Sequence, residues 1–166
     1  MGKKHVDNPS AADLFGRHHL ALFRYLYRLT GRRDIAEDVV QDVFVRVVRG
    51  LDEYRPMNRE AAWLFAIARR LLLDRRRTLE RRPQPVADSA DASVAADQET
   101  SLALSEALAQ VPEVDREAFL LREVAGLTYD EIALVCHTTR DSVRSRIYRG
   151  RIRLRALLSP ITQVSS

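Results

Sequence analysis

Cysteine is nearly absent from this chain: Cys136 stands alone among 166 residues. One thiol excludes an internal disulfide and suits a reducing compartment such as the cytoplasm. No apolar run approaches the roughly 20 residues of a membrane span, so direct membrane insertion is not expected. At the N-terminus Lys3-Lys4 leads into polar residues rather than an apolar stretch, which argues against a secretory leader. The chain is expected to be cytoplasmic. A glycine-rich phosphate loop is also missing, and no period-two alternation is sustained, so strands are not needed. Cys136 and His137 are adjacent and diverge on any regular backbone, while His18-His19 has no partner at zinc-finger spacing. No metal site and no cofactor is expected. Capping and helix-dipole effects account for the neighbouring carboxylates Asp130 and Glu131, which leaves no catalytic constellation.

What is present is helical pattern and arginine. The length allows one domain or two small ones, and the net charge of +4 matters mainly through where the arginines cluster. The densest cluster follows a pair of short helical signals. Thr128 and Glu131 have the spacing of a capping box, in which the hydroxyl accepts a backbone N–H and the glutamate reaches back to the cap. Ile132, Ala133 and Val135 give the helix an apolar side. Cys136-His137-Thr138-Thr139 interrupts it, and Thr138 or Thr139 can cap the next helix. This is the outline of a helix-turn-helix DNA reader.

On the second helix, 100° steps put Val143, Ile147, Gly150, Leu154 and Leu157 on one stripe, facing the core. The opposite side presents Asp141, Arg144, Ser145, Tyr148 and Arg149, with Arg155 further along. Between Arg140 and Arg155 seven arginines stand against one aspartate. Guanidinium forks grip phosphates or pair with guanine edges, so this face fits a polyanion better than plain solvent. Truncating Arg144 or Arg149 is expected to leave the core packed.

Upstream, Leu14, Phe15, Leu22, Tyr25, Leu26 and Leu29 recur at helical spacing and stop at Gly31. Asp34 and Glu37 have the spacing of another capping box, ahead of Ile35, Val39, Val40, Val43, Phe44, Val47 and Val48, with Gly50 as the stop. The loop Tyr54–Asn58 precedes a third helix with Trp63, Leu64, Ile67, Ala68, Leu71 and Leu72 inward and Arg75-Arg76-Arg77 at its far end. From Pro83 to Thr100 lysine and arginine vanish while Ala, Ser and Asp dominate, the composition of a flexible acidic linker. Leu102, Leu104 and Leu108 resume a helix and Pro112 breaks it. The expected fold is all-α: two small helical domains, residues 10–82 and 101–160, joined by the linker 83–100.

The two halves together resemble the extracytoplasmic-function sigma factors of the sigma-70 family of bacterial RNA polymerase. Asp34-Ile35-Ala36-Glu37-Asp38-Val39-Val40-Gln41-Asp42-Val43-Phe44 is similar to the core-binding helix of region two, and Ala62 to Arg70 to the promoter-melting helix. Gly126 to Ala133 and Ser142 to Arg149 are similar to region four. The resemblance implies a specificity subunit, not an enzyme, that binds core polymerase, selects promoters and assists their opening. Asp38, Gln41 and Asp42 would contact the polymerase clamp helices, although by themselves they read as a solvated helix face. Tyr54 and Asn58, in the loop, would catch an unstacked base of the minus-ten element. Arg69 and Arg76 would hold the separated strand, and Arg70 would belong to the same minus-ten DNA surface, on the side of base capture. Trp63 reads equally as a base-stacking surface and as a core tryptophan. Arg122, Tyr129, Asp130, Arg144, Ser145, Tyr148 and Arg149 would read the minus-thirty-five duplex. Implied partners are core polymerase, promoter DNA and an anti-sigma factor.

Three residues depart from the family pattern. Arg70 replaces a usual asparagine, and His137 and Asp141 replace glycines. Histidine tolerates positive φ better than most residues, so the turn survives. Asp141 can alter the preferred promoter by repelling phosphate or accepting from cytosine. A free-standing helix-turn-helix regulator and a sigma-mimicking decoy remain open as alternative functions. Need for core polymerase discriminates the first, and failure to start a transcript the second.

Overall fold

Seven helices and no strand make up the described residues, which are 8–51, 59–81 and 98–159 of a computed structural model. Helix α1, Ala11–Thr30, begins at a capping box that the sequence reading missed: Ser10 accepts the Asp13 N–H while the Asp13 carboxylate takes the Ser10 N–H. It ends as expected at Gly31, whose φ of 71° is left-handed and whose N–H returns to Tyr27.

Helix α2, Arg33–Gly50, corrects two expectations. Its N-cap is Arg32, so Asp34 already lies in the first turn and cannot cap it; its carboxylate turns to the Arg32 guanidinium instead, at 2.7 and 3.1 Å. Glu37 pairs with Arg33 at 2.9 Å. Both acids still sit near the positive end of the helix dipole. The Arg32 contact is the main reason the Asp34 carboxyl is held below the usual range. Gly50 is the last helical residue, but Leu51 continues in right-handed geometry, so no left-handed stop forms there.

Helix α3 is Glu60–Arg81 and α4 is Gln98–Ala109. The latter starts inside the stretch expected as linker; residues 82–97, and the loop residues Tyr54 and Asn58, lie outside the described residues. Pro112 caps α5, Glu113–Glu123, and Gly126 at φ 68° lets the Leu127 N–H close back on Leu121. Helices α6, Tyr129–Val135, and α7, Arg140–Leu158, are the last two among the described residues.

A single buried cluster runs through both halves. Leu14, Leu22, Leu26, Val39, Val43, Val47, Leu64 and Phe65 close the first, where Tyr25 meets Phe65 edge to face at 5.3 Å. Leu108, Leu121, Leu127, Ile132, Val143 and Ile147 close the second. Phe15 and Val48, read as inward, are exposed instead; Phe15 stacks on His19 and abuts Phe44. The halves also meet: α1 packs on α4 and α5, and α3 on α6.

Candidate nucleic-acid interface

Seven residues are too few for α6 to persist alone. Thr128 and Glu131 form the expected capping box, at 3.2 and 3.1 Å, worth about 1 kcal/mol. Ile132 and Val135 are buried, at roughly 1.5 to 3 kcal/mol each, so packing outweighs the cap in holding α6. The turn follows at His137, whose φ of 51° makes it the lone non-glycine residue with positive φ among the described residues. The Thr138 N–H returns to Ala133 at 3.0 Å, and Thr139 caps α7 by accepting from Ser142 at 3.1 Å.

Helix α7 divides as the 100° projection requires. Val143, Ile147, Gly150 and Leu154 are buried, whereas Asp141, Arg144, Ser145, Tyr148, Arg149 and Arg155 are exposed. Tyr148 is 65% exposed, which is unusual for so large an apolar ring and leaves its face available. Arg122 is braced behind this surface, donating to the Leu127 carbonyl at 2.9 Å with its guanidinium over the Tyr129 ring at 5.3 Å. Asp130 meets Arg140 at 3.6 Å across the turn.

Arg149 corrects the expectation that its truncation would spare the core. Its guanidinium donates twice to Asp115, at 3.2 and 3.0 Å, and Asp115 is only 4% exposed. These hydrogen bonds, then the carboxylate charge, raise the Arg149 pKa. Next to it Gly150 lies against α5, where an added Cβ would come within 3.2 Å of the Asp115 carbonyl oxygen. Arg151 is similarly tied to Glu123 at 2.7 Å.

In the first half Asp38, Gln41 and Asp42 lie exposed along the polar side of α2, with Asp38 also paired to Arg75 of α3 at 3.0 Å. Trp63 is half-buried against the core, and Arg70 is exposed. Arg69 and Arg76 share one face of α3, as their spacing of seven implies. That face is turned toward the second half. Arg69 pairs with Glu117, and Arg76 with Glu113, both on α5.

Glu117 is the residue of this junction least visible in the sequence. It is buried between the halves, contacted by Arg69 and, at 3.5 Å, by the Tyr25 hydroxyl. Burial, followed by the Glu117 charge, raises the Tyr25 pKa well above its usual value. The same two causes push the Cys136 thiol up to about 12. For Arg69 burial acts to lower the pKa, but the Glu117 carboxylate outweighs it and the net direction is upward. Nearby, Arg28 of α1 donates to Ser101 and Ser105 of α4 at 3.1 to 3.4 Å. No local pattern announces these pairs, because the partners are 48 to 92 residues apart.

Among the described residues no cluster of histidine, cysteine and carboxylate groups is fit to hold a metal, and no helix is long and apolar enough to cross a membrane. The fold and this surface define a class: an all-helical, two-unit DNA-binding protein whose second unit presents a helix-turn-helix. Comparison with known proteins narrows the class. The family model "Sigma-70 region 2" matches residues 14–82 and "Sigma-70, region 4" matches residues 101–154. The ECF RNA polymerase sigma factor SigE of Mycolicibacterium smegmatis is 35% identical over 161 residues; the match covers 91% of this chain and 62% of SigE. The ECF RNA polymerase sigma factor EcfG of Rhodopseudomonas palustris is 32% identical over 144 residues, covering 83% of this chain and 79% of its own. The sigma factor RpoE of Bartonella quintana, crystallised with the anti-sigma factor NepR, superposes with a TM-score of 0.69 at 25% identity, covering 85% of this chain and 91% of its own. The chain belongs to the extracytoplasmic-function sigma factors of the sigma-70 family.

Proposed function

We propose that this sigma factor binds core RNA polymerase through Asp38, Gln41 and Asp42, carries it to specific promoters and helps open them. The observation that carries this reading is the pairing, in one chain, of an exposed polar strip on α2 with an outward arginine face on α7. The first unit, 10–82, recognises and melts the minus-ten element; the second, 101–160, reads the minus-thirty-five element; and 83–100 links them. Tyr54 and Asn58 capture an unstacked base, with Trp63 as a stacking surface and Arg70 on the same minus-ten surface, and Arg69 and Arg76 hold the strand. Cationic grip on the backbone plus aromatic surfaces for bases is what an opened duplex requires. Arg122, Tyr129, Asp130, Arg144, Ser145, Tyr148 and Arg149 form the duplex-reading surface. The chain itself catalyses nothing, and the polymerase supplies the catalytic metal. It works in the cytoplasm, and by analogy with RpoE and NepR an anti-sigma factor restrains it.

Run-off transcription with purified core enzyme and candidate promoters tests this reading. Promoter-specific transcripts that require the chain are expected. Specific duplex binding without core, and no transcript with it, would point to a free-standing regulator instead.

A further inference from the structure

Resting on the duplex-reading role of α7, we propose that Asp141 selects a base: its carboxylate accepts a hydrogen bond from the amino group of a cytosine on the floor of the major groove. The inference begins with pairing. Every other carboxylate from Glu113 to Ser159 is taken up, five by arginines and Glu131 by the cap of α6. Asp141 alone among these described residues has no partner, although Arg140 and Arg144 stand close to it in the helix. Nor does it cap α7, a role filled by Thr139. A carboxylate left out of the internal pairs of so arginine-rich a segment is available to a donor from outside.

Its place on the helix says which donor. Taking about 100° per residue, Asp141, Ser145, Tyr148 and Ile152 fall within about 60° of one another, opposite the buried stripe of Val143, Ile147, Gly150 and Leu154. All four are exposed, Ile152 by 47%. On the same projection Arg144 lies about 60° to one side of Asp141 and Arg149 about 80° to the other. The outward face is therefore uncharged or acidic along its middle and cationic along its edges. A helix roughly fills a major groove about 12 Å wide, so the middle of the face meets base edges while the flanks come nearer the phosphate walls. Asp141 also lies in the first turn of α7, the end that reaches base edges in helix-turn-helix readers. A carboxylate only accepts. Guanine shows N7 and O6 in the groove and thymine shows O4, all acceptors, and adenine sets N7 beside its amino group; cytosine alone shows a donor without an acceptor. Facing guanine or thymine, Asp141 loses water and gains no hydrogen bond in return. Cytosine is favoured, and the other two are rejected.

The test enriches a duplex library of random sequence on the full chain, alone and assembled with core polymerase, and sequences the bound DNA. At one position of the selected element the wild type should favour cytosine about fivefold over guanine or thymine. Asp141→Asn keeps the size but both donates and accepts, the pattern that pairs with adenine, so preference at that same position should switch from cytosine to adenine. Asp141→Gly should leave the position without preference and the remaining positions as in the wild type. Circular dichroism follows the fold of each variant; Asp141→Asn, isosteric at an exposed site, is read alone if the glycine variant is unfolded. An unchanged base preference in Asp141→Asn overturns the proposal. So does tighter binding to all sequences alike, which would make the carboxylate a phosphate-repelling group only. Enrichment by the chain without core, and no transcript with it, removes the sigma-factor reading while wild type against Asp141→Asn still judges the base contact. No enriched sequence in either form overturns the proposal, whatever the run-off assay gives.

Discussion

Arg149 projects from the recognition helix yet is held by two hydrogen bonds to the buried carboxylate of Asp115, one helix behind it. The arginine is therefore both a surface cation and a closing piece of the core in the second half. Asp115 would be left with a buried charge and no partner if Arg149 were lost, and an uncompensated buried group is destabilising.

The expected outcome separates two arginines that the sequence treats alike. Arg149→Ala should lower the thermal midpoint followed by circular dichroism, and weaken DNA binding as well. Arg144→Ala, which has no internal partner among the described residues, should leave the midpoint unchanged. If Arg144 grips phosphate, its loss should reduce the log-log salt slope by about 0.9. If it pairs with guanine, preference at one promoter position should relax at a cost of about 1 to 3 kcal/mol. An unchanged midpoint for Arg149→Ala would show that its bond to Asp115 contributes nothing to stability.

Asp38→Ala combined with Gln41→Ala should weaken core-polymerase binding, measured by competition for core, while the apolar side of α2 stays intact. The Asp38 contact with Arg75 is exposed on both sides, so its loss should cost less than about 1 kcal/mol in denaturant unfolding. Unchanged affinity for core would remove these residues from the interface.

His137 holds a left-handed conformation that costs a non-glycine residue about 1 kcal/mol or more. Glycine relieves that strain but gives freedom back to the unfolded chain. His137→Gly is expected to stabilise the chain by roughly 0.5 to 1 kcal/mol, read as a higher denaturant midpoint at constant slope. A lower midpoint would mean the side chain contributes contacts that outweigh the strain.

Thiol chemistry reports on burial at the junction of the halves. With its pKa pushed up to about 12, Cys136 should be only about one part in ten thousand thiolate at pH 8. Alkylation by iodoacetamide in the native state should be very slow and should rise with pH well past the range of an ordinary thiol. In denaturant it should be fast at pH 8. Rapid native labelling at pH 8 would contradict this environment.

Local chemistry made the second half legible. Thr128 with Glu131, Thr139 ahead of α7, and the 100° spacing of Val143, Ile147, Gly150 and Leu154 each fix structure within a few residues, and each is found as read. Asp34 with Glu37 has the same spacing as a capping box, but the neighbouring Arg32 and Arg33 drew the two carboxylates and the helix began earlier. Pattern gives the candidates, and competition between nearby charges decides among them. Arg69 shows the remaining limit: its helical face was readable, whereas its partner Glu117 lies 48 residues on and was found only by folding the chain.

The contact between Gly150 and α5 makes that glycine a fulcrum. Helix α7 is about 28 Å long at 19 residues, and Asp141 lies nine residues ahead of Gly150, about 13 Å along the axis. A methyl group at Gly150 must push α5 and α7 apart by a few tenths of an ångström, since the neighbour it meets is backbone. Val143 and Ile147 pack the Asp141 end of the same helix into the core, so the close approach at Gly150 fixes how near α7 sits to α5. The seat of the helix is thus shaped at its back, where the lack of a side chain at Gly150 lets the two backbones come close.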